Sequence, residues 1–193
     1  MLHFLTIDKH VTLSKTRVFS YVRSVGKNYT PTKSEPITLE MVQRYCRGLG
    51  DKDKHLSDKL FASISYYCAA RSCEVSTLLF DKIRRCDNAL EIEITRTKTD
   101  RSGTSSVLVV PGSPDPSVCP VAIYDRYRAL LPVAAVRAFL YFSGDRYVDR
   151  LVGANTIKKI PGLIAEAAGV TGRFTSHSFR SGAATDYVDN GGA

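Results

Sequence analysis

The chain has 193 residues, is 44% hydrophobic, and carries a formal net charge of +8 with an isoelectric point near 9.3. This length allows one sizeable core, and the basic charge favours a polyanionic partner such as nucleic acid. Lysines and arginines interrupt every apolar run before the ~20 residues that a membrane-spanning helix needs, so no membrane segment is predicted. The five cysteines are odd in number, form no CxxC pair and follow no secretory signal, which predicts an intracellular location in cytoplasm or nucleus.

The N-terminal part predicts a helix followed by a linker. Residues 13–25 form one amphipathic basic pattern, and residues 26–36 are polar and contain Pro31 and Pro36. We therefore expect residues 1–36 to be a helix remnant with a linker, and residues 37–193 to be the folded domain.

Three helices are predicted after the linker. Thr38 is a suitable N-cap for a helix from Leu39 to Arg47. Ser57 is expected to cap a second helix that ends near Ala70, and Ser72 a short third one. Between the last two lies a corner, where a long side chain can turn inward.

In the following segment the spacing of apolar residues changes from that of a helix to that of a strand, which predicts a β-hairpin. Apolar and polar residues alternate over 90–94, a turn follows at 100–103, and residues 107–110 form the returning strand. Lys98 lies near the hairpin tip. A helix is then predicted from Cys119 to Leu131, because a proline is tolerated in a first turn.

Two further helices complete the pattern. Residues 155–170 carry one apolar stripe, with Pro161 predicting a kink or a late start. Residues 176–188 form the last helix, on which His177 and Arg180 share a face. The predicted fold class is α+β, a mostly helical domain with one small antiparallel sheet on its flank.

Three short sequence boxes carry a family resemblance. Ala70 to Val75, with Arg71 and Glu74, then Lys98, then His177 to Arg180 resemble the active-site boxes of the tyrosine recombinase, or phage integrase, family. The resemblance covers about Lys33 to the C-terminus and is specific in the order and separation of the boxes. It implies the DNA breaking-rejoining fold of that family's catalytic domain.

The resemblance also implies a role for each box residue in transesterification of DNA. Arg71 and Arg180 would bind the non-bridging phosphate oxygens, which gain charge in the transition state. His177 would assist proton movement from the nucleophile, Lys98 would protonate the departing 5′ oxygen, and Glu74 would hold Arg71 or a neighbour in position.

The implied function is site-specific DNA recombination or integration through a phosphotyrosine link, with double-stranded DNA as partner and neither metal nor cofactor. Further basic side chains are expected to bind the DNA backbone: Arg84, Arg85, Arg96, Arg101 and Arg173.

The chain departs from the family after the second arginine. In the family the tyrosine nucleophile lies several helical turns beyond that arginine, after a His or Trp box, whereas 13 residues follow Arg180 here. Tyr187 falls where the family has a supporting helix. We therefore expect the nucleophile to be absent from the chain and the domain to lack its C-terminal end. Oligomers on DNA are expected only of a full-length protein.

Other interpretations stay open at this stage. The chain could be a catalytically inactive remnant of a mobile-element recombinase that binds duplex DNA, or a relative of type IB topoisomerases. Considered without the other boxes, Arg71 and Glu74 could form a surface ion pair. Lys98 could likewise belong to a charged hairpin tip that prevents the edge of the sheet from pairing with another strand. A missing C-terminal end is also expected to leave apolar side chains such as Ile160 and Phe179 exposed.

Overall fold

A computed structural model describes residues 33–95 and 105–189. The helices are α1 (Leu39–Gly48), α2 (Leu56–Tyr67), α3 (Ser72–Ser76), α4 (Pro120–Ala129), α5 (Ala154–Ala168) and α6 (Ser176–Asp189). The strands are β1 (Ile83–Cys86), β2 (Ala89–Thr95), β3 (Ser105–Pro111), β4 (Leu140–Ser143) and β5 (Arg146–Leu151). The predicted mostly helical α+β architecture is confirmed.

Helix α2 forms the centre of the core. Ten of its residues are buried, and α1, α3, α4, α5 and α6 all contact it. A helix that is buried on nearly all sides needs apolar or small residues around its whole circumference. Leu60 and Ile64, both 0% exposed, fulfil this at its middle. Within the described residues, no helix is both long and apolar enough to cross a membrane.

The start of α1 was predicted correctly from local signals. The Thr38 hydroxyl accepts a hydrogen bond from the Met41 N–H at 3.3 Å, as an N-cap does. Ile37 and Val42, at the spacing of a hydrophobic staple, are both buried. The helix from Cys119 is confirmed as well, with Pro120 as its first residue.

Two predicted caps were wrong. Ser57 lies inside α2, which follows a 3-10 turn at Asp53–His55, and its N–H donates to the Tyr147 hydroxyl at 3.3 Å. Ser72 is the first residue of α3, and the N-cap position belongs to Arg71. At Ser57 a tertiary contact outweighs the local preference of serine for a cap, whereas at Ser72 the local Arg71–Glu74 pair sets the helix start.

The predicted hairpin is confirmed as the β2–β3 pair, and β1 adds a third antiparallel strand that was not predicted. Leu90 and Ile92 face the core with 0% exposure, whereas Glu91 and Glu93 alternate with them on the other face. The predicted turn lies outside the described residues. A second sheet, β4 paired with β5, was also not predicted.

Helix α5 starts at Ala154, so a late start caused by Pro161 is wrong, and it ends at Ala168, two residues before the predicted end. Gly169 follows, and its φ of 69° is the left-handed conformation favoured by glycine. The expected exposure of apolar side chains was also wrong, because Ile160 on α5 is 1% and Phe179 on α6 0% exposed. Helices α1, α2, α3 and α6 provide the packing partners of α5.

The backbone preceding α1 lies directly against α6. The Ile37 N–H donates to the Ser178 carbonyl at 3.0 Å, and the Glu35 N–H donates to the Arg173 carbonyl at 2.9 Å. Gly182 allows this approach, since a Cβ atom there would lie 1.7 Å from the Ile37 carbonyl oxygen. The chain therefore requires a residue without a side chain at this position.

Replacing Gly182 by alanine should destabilise the fold. The new methyl group would meet rigid backbone, so we expect the free energy of unfolding to fall by about 1–3 kcal/mol or more. Gly162 on α5 is the matched control, because a Cβ there meets nothing within 4 Å. Gly162→Ala should raise the free energy of unfolding by about 0.5–1 kcal/mol. Urea denaturation measures both, and equal effects of the two variants would contradict the close approach.

Asp58 should make the stability depend on pH. Burial raises the pKa of Asp58 from its ordinary 3.8 to about 6, so the folded protein retains this proton more tightly than the unfolded chain. Its contribution is favourable below pH about 4 and is lost as pH rises from about 4 to 6. Asp58→Asn should therefore add about 1–3 kcal/mol to the free energy of unfolding at pH 7 and little at pH 4. Urea denaturation at both pH values tests this, and an equal gain at both would contradict it.

Candidate functional site

The corner between α2 and α3 holds Arg71 in place. Ala69 has a φ of 45°, the left-handed conformation that turns the chain sharply after α2. The Glu74 carboxylate accepts two hydrogen bonds from Arg71, one from its backbone N–H and one from Nη1, both at 2.8 Å. The Glu74 side chain is 8% exposed and that of Arg71 34%, so the guanidinium reaches the surface from a largely buried anchor.

The first turn of α6 presents His177 and Arg180. The Thr175 hydroxyl accepts from the His177 N–H at 3.3 Å, while the Thr175 N–H donates to the Ser178 hydroxyl at 3.0 Å. These reciprocal bonds cap the helix. Phe179 is fully buried, which fixes the rotation of α6 and leaves His177 and Arg180 exposed on the surface.

Arg180 joins the two parts of the site. Its Nε donates to the Ala69 carbonyl at 2.9 Å across 111 residues of sequence. A second bond links the same two helices, since the Tyr66 hydroxyl donates to the Asp186 carboxylate. The structure thus brings Arg180 to the corner that carries Arg71.

This arrangement is suited to anion binding. Glu74 accepts from the Arg71 guanidinium, and the Ala69 carbonyl accepts from the Arg180 guanidinium. Within the described chain, the other guanidinium N–H groups of both arginines make no hydrogen bond. The exposed N-terminus of α6 adds the positive end of the helix dipole. Anchored guanidinium groups next to a helix N-terminus can bind a tetrahedral oxyanion such as a phosphate.

The other predicted site residues are placed differently. Lys98, Arg96 and Arg101 lie outside the described residues, beyond the last pair of the hairpin, Thr95 with Ser105. The distance between Lys98 and the two arginines of the corner is therefore not part of the structural description.

The predicted DNA-binding arginines on the sheet are engaged with carboxylates. Arg84 forms an ion pair with Glu91, and Arg85 forms one with Asp125 at 3.1 Å. Arg173 is exposed just before α6, where its carbonyl accepts from Glu35. Pairing reduces the positive charge that Arg84 and Arg85 can offer to a phosphate.

Tyr187 lies on α6, seven residues after Arg180, and is 62% exposed. This spacing places it about 10 Å farther along the helix axis than Arg180. Among the residues that the structure describes, no group of three or more His, Cys, Asp or Glu side chains could hold a metal ion.

Sequence reasoning missed Ala69 and Thr175 as supports of the site. Thr175 carried a usable signal, because threonine is a common N-cap residue directly before a helix. Ala69 carried none, since it acts through its backbone carbonyl and an unusual φ.

Comparison with known proteins identifies the fold. No family model and no curated relative matches the chain. Among solved structures, XerA recombinase matches with a TM-score of 0.61 at 16% identity, covering 94% of this chain and 65% of that one. XerH site-specific recombinase, in a post-cleavage complex with palindromic difH substrate, matches with a TM-score of 0.59 at 13% identity, covering 84% and 44%. The lambda integrase catalytic core matches with a TM-score of 0.51 at 12% identity, covering 83% and 86%.

These neighbours are tyrosine recombinases, so the catalytic-domain fold predicted from the sequence boxes is confirmed. The chain spans less than two thirds of the XerA and XerH chains that it matches. At these identities the likeness establishes the fold, and the chemistry depends on the residues at the corner.

Removing the Glu74 carboxylate should destabilise the corner. Glu74→Ala leaves the Arg71 N–H and guanidinium without their acceptor, so we expect a loss of about 1–3 kcal/mol in the free energy of unfolding. Glu166→Ala, which removes an exposed carboxylate from α5, is the control and should change it by less than about 0.5 kcal/mol. Chemical denaturation compares the two, and a loss equal to that of the control would show that the Arg71–Glu74 contact contributes nothing.

Proposed function

We propose that this chain takes part in site-specific DNA recombination, in which a DNA phosphodiester is exchanged for a phosphotyrosine link and then rejoined. The observation that carries the proposal is the hydrogen bond from Arg180 to the Ala69 carbonyl, which brings a second anchored guanidinium to the corner of Arg71. The fold shared with XerA and lambda integrase supports the same function.

In the proposed reaction the two guanidinium groups bind the non-bridging oxygens of the scissile phosphate. Strand exchange concentrates negative charge on those oxygens in the transition state, so donors fixed before the reaction lower its barrier. Glu74 orients Arg71, and the Ala69 carbonyl orients Arg180. His177, one helical turn before Arg180, is within reach of the same phosphate and would accept or return the proton of the attacking hydroxyl.

Lys98 is proposed as the acid that protonates the 5′ oxygen of the departing strand. The attacking tyrosine oxygen forms a bond to phosphorus while the bond to this 5′ oxygen breaks, and rejoining reverses both steps. We do not assign the nucleophile to Tyr187, because its position about 10 Å along α6 from Arg180 is too far for in-line attack at the same phosphate.

A second candidate function is duplex binding without strand cleavage. The position of Tyr187 favours it, since the described part of α6 presents the arginine without a tyrosine beside it. The corner would then hold a backbone phosphate, and the chain would bind double-stranded DNA with little dependence on sequence.

Both candidates predict that the corner binds phosphate in duplex DNA. Arg71→Gln and Arg180→Gln should each weaken binding of a fluorescent duplex and lower the slope of log affinity against log salt by about 1. Arg146→Gln, on exposed β5, is the control and should leave both unchanged. Fluorescence anisotropy between 50 and 200 mM salt measures these values, and an unaltered slope in both site variants would exclude the corner from DNA binding.

Denaturing gels separate the two candidates. Recombination chemistry should give a covalent protein–DNA adduct that disappears in Arg180→Gln but persists in Arg146→Gln. A duplex that is bound but never attached covalently would favour the second candidate. Loss of an adduct in Tyr187→Phe would contradict our placement of the nucleophile away from Tyr187.

A further inference from the structure

A second positively charged site lies at the opposite end of α2 from the Arg71 corner. There, the C-terminal end of α1, the first turn of α2, the loop before α4 and α4 itself line a cavity of about 670 Å³ that is open to solvent. Lys59 is in the first turn of α2 and Ala69 follows its last turn, which separates the two sites by about 15 Å along the helix axis. The polar side chains that line the cavity are Arg47, Asp51, Lys59, Asp115, Ser117 and Arg126.

Lys59 is the unusual member of this set. Only 4% of the residue is exposed, yet within the described chain its ammonium has neither a carboxylate partner nor a hydrogen bond. The Lys59 Nζ atom is not itself sealed from water, because the side chain lines the cavity and an anion that enters there can reach the ammonium. Its neighbour in sequence, Asp58, makes no ion pair with it.

The carboxylates at the cavity are already paired with the two arginines. Arg47 donates to Asp115 through Nε and Nη2, both at 3.1 Å. Asp115 also accepts from the Ser117 N–H and hydroxyl, and these bonds together with Arg47 hold its pKa below the ordinary value. The cavity thus keeps this aspartate charged and engaged.

Arg126 is paired in the same way. Its guanidinium contacts Asp51 and donates through Nε to Asp53 at 3.1 Å. The two arginines therefore balance carboxylates that flank the cavity, and of the three cations that line it only Lys59 forms no ion pair with a described residue.

We propose that this cavity binds a small phosphate-bearing anion, with Lys59 as its central ligand. The ammonium would donate to the phosphate oxygens from the cavity wall, and the Arg47 Nη1, which makes no other hydrogen bond in the described chain, would approach from the rim. Cations that reach one cavity from three different helices suit a tetrahedral oxyanion with several acceptor oxygens. The size is that of a small-ligand cavity.

Amide chemical shifts in a titration with inorganic phosphate test this site directly. A parallel titration with chloride at equal ionic strength is the reference, because it shows the shift changes that come from general charge screening alone. The amides of Lys59 and Ser117 should shift in a saturable manner, and Lys59→Met should weaken this binding by roughly tenfold or more. Lys54→Met removes an exposed lysine of the neighbouring turn and should leave the affinity unchanged.

Two results would overturn the proposal. One is the absence of saturable shifts around Lys59 in the unmodified chain, a measurement that does not depend on the folding of any variant. The other is unchanged phosphate affinity at these amides in a folded Lys59→Met variant, which would make Lys59 a buried lysine without a ligand.

The same titration distinguishes this site from the proposed recombination site. Phosphate that binds at the Arg71 corner should shift the amides of His177 and Arg180, and Arg180→Gln should abolish those shifts while those at Lys59 remain. Adding saturating duplex DNA then identifies the source of the phosphate. If DNA displaces inorganic phosphate from the cavity, the cavity binds a phosphate of the DNA backbone. If inorganic phosphate stays bound, the cavity binds a free phosphate compound. Both results support a phosphate site.

Discussion

The packing of α6 against α2 and the segment before α1 is the constraint on which the rest of the site depends. The two guanidinium groups come from sequence positions more than a hundred residues apart, so neither the α2–α3 corner nor α6 alone supplies both. Gly182 allows α6 to lie directly on the Ile37 backbone, and fully buried Phe179 sets its rotation. Arg180 can then satisfy the Ala69 carbonyl, which would otherwise be an unpaired acceptor at the end of α2.

Electrostatics at the corner follow from this geometry. Each arginine is held by a different type of acceptor, a carboxylate for Arg71 and a neutral carbonyl for Arg180. A carboxylate cancels part of the charge that it orients, whereas a carbonyl orients the guanidinium and leaves its full charge available. Arg180 is therefore the stronger attractor for an approaching anion, and Arg71 the more rigid one.

The sequence predicted the elements whose signals are local. Thr38 and Pro120 mark helix starts because a cap and a missing N–H act within one turn, and the alternation at Leu90 and Ile92 marks a strand that is buried on one face. Ser57 was misassigned because Tyr147, distant in sequence, takes the N–H that a cap would otherwise satisfy. The short strand β1 escaped detection because Arg84 and Arg85 interrupt any apolar alternation. The predicted site residues formed ordered boxes in the sequence, but the contact that brings Arg180 to the Arg71 corner is made by a backbone carbonyl, which the side-chain pattern does not reveal.

The long separation between the parts of the corner has a consequence for synthesis. A ribosome synthesises the α2–α3 turn, which contains Arg71 and Glu74, well before it synthesises α6. During that interval the nascent chain contains the first arginine and lacks the second. The pair of guanidinium groups at the corner therefore forms only after α6 has been synthesised, and a nascent chain that stops before α6 has Arg71 without Arg180.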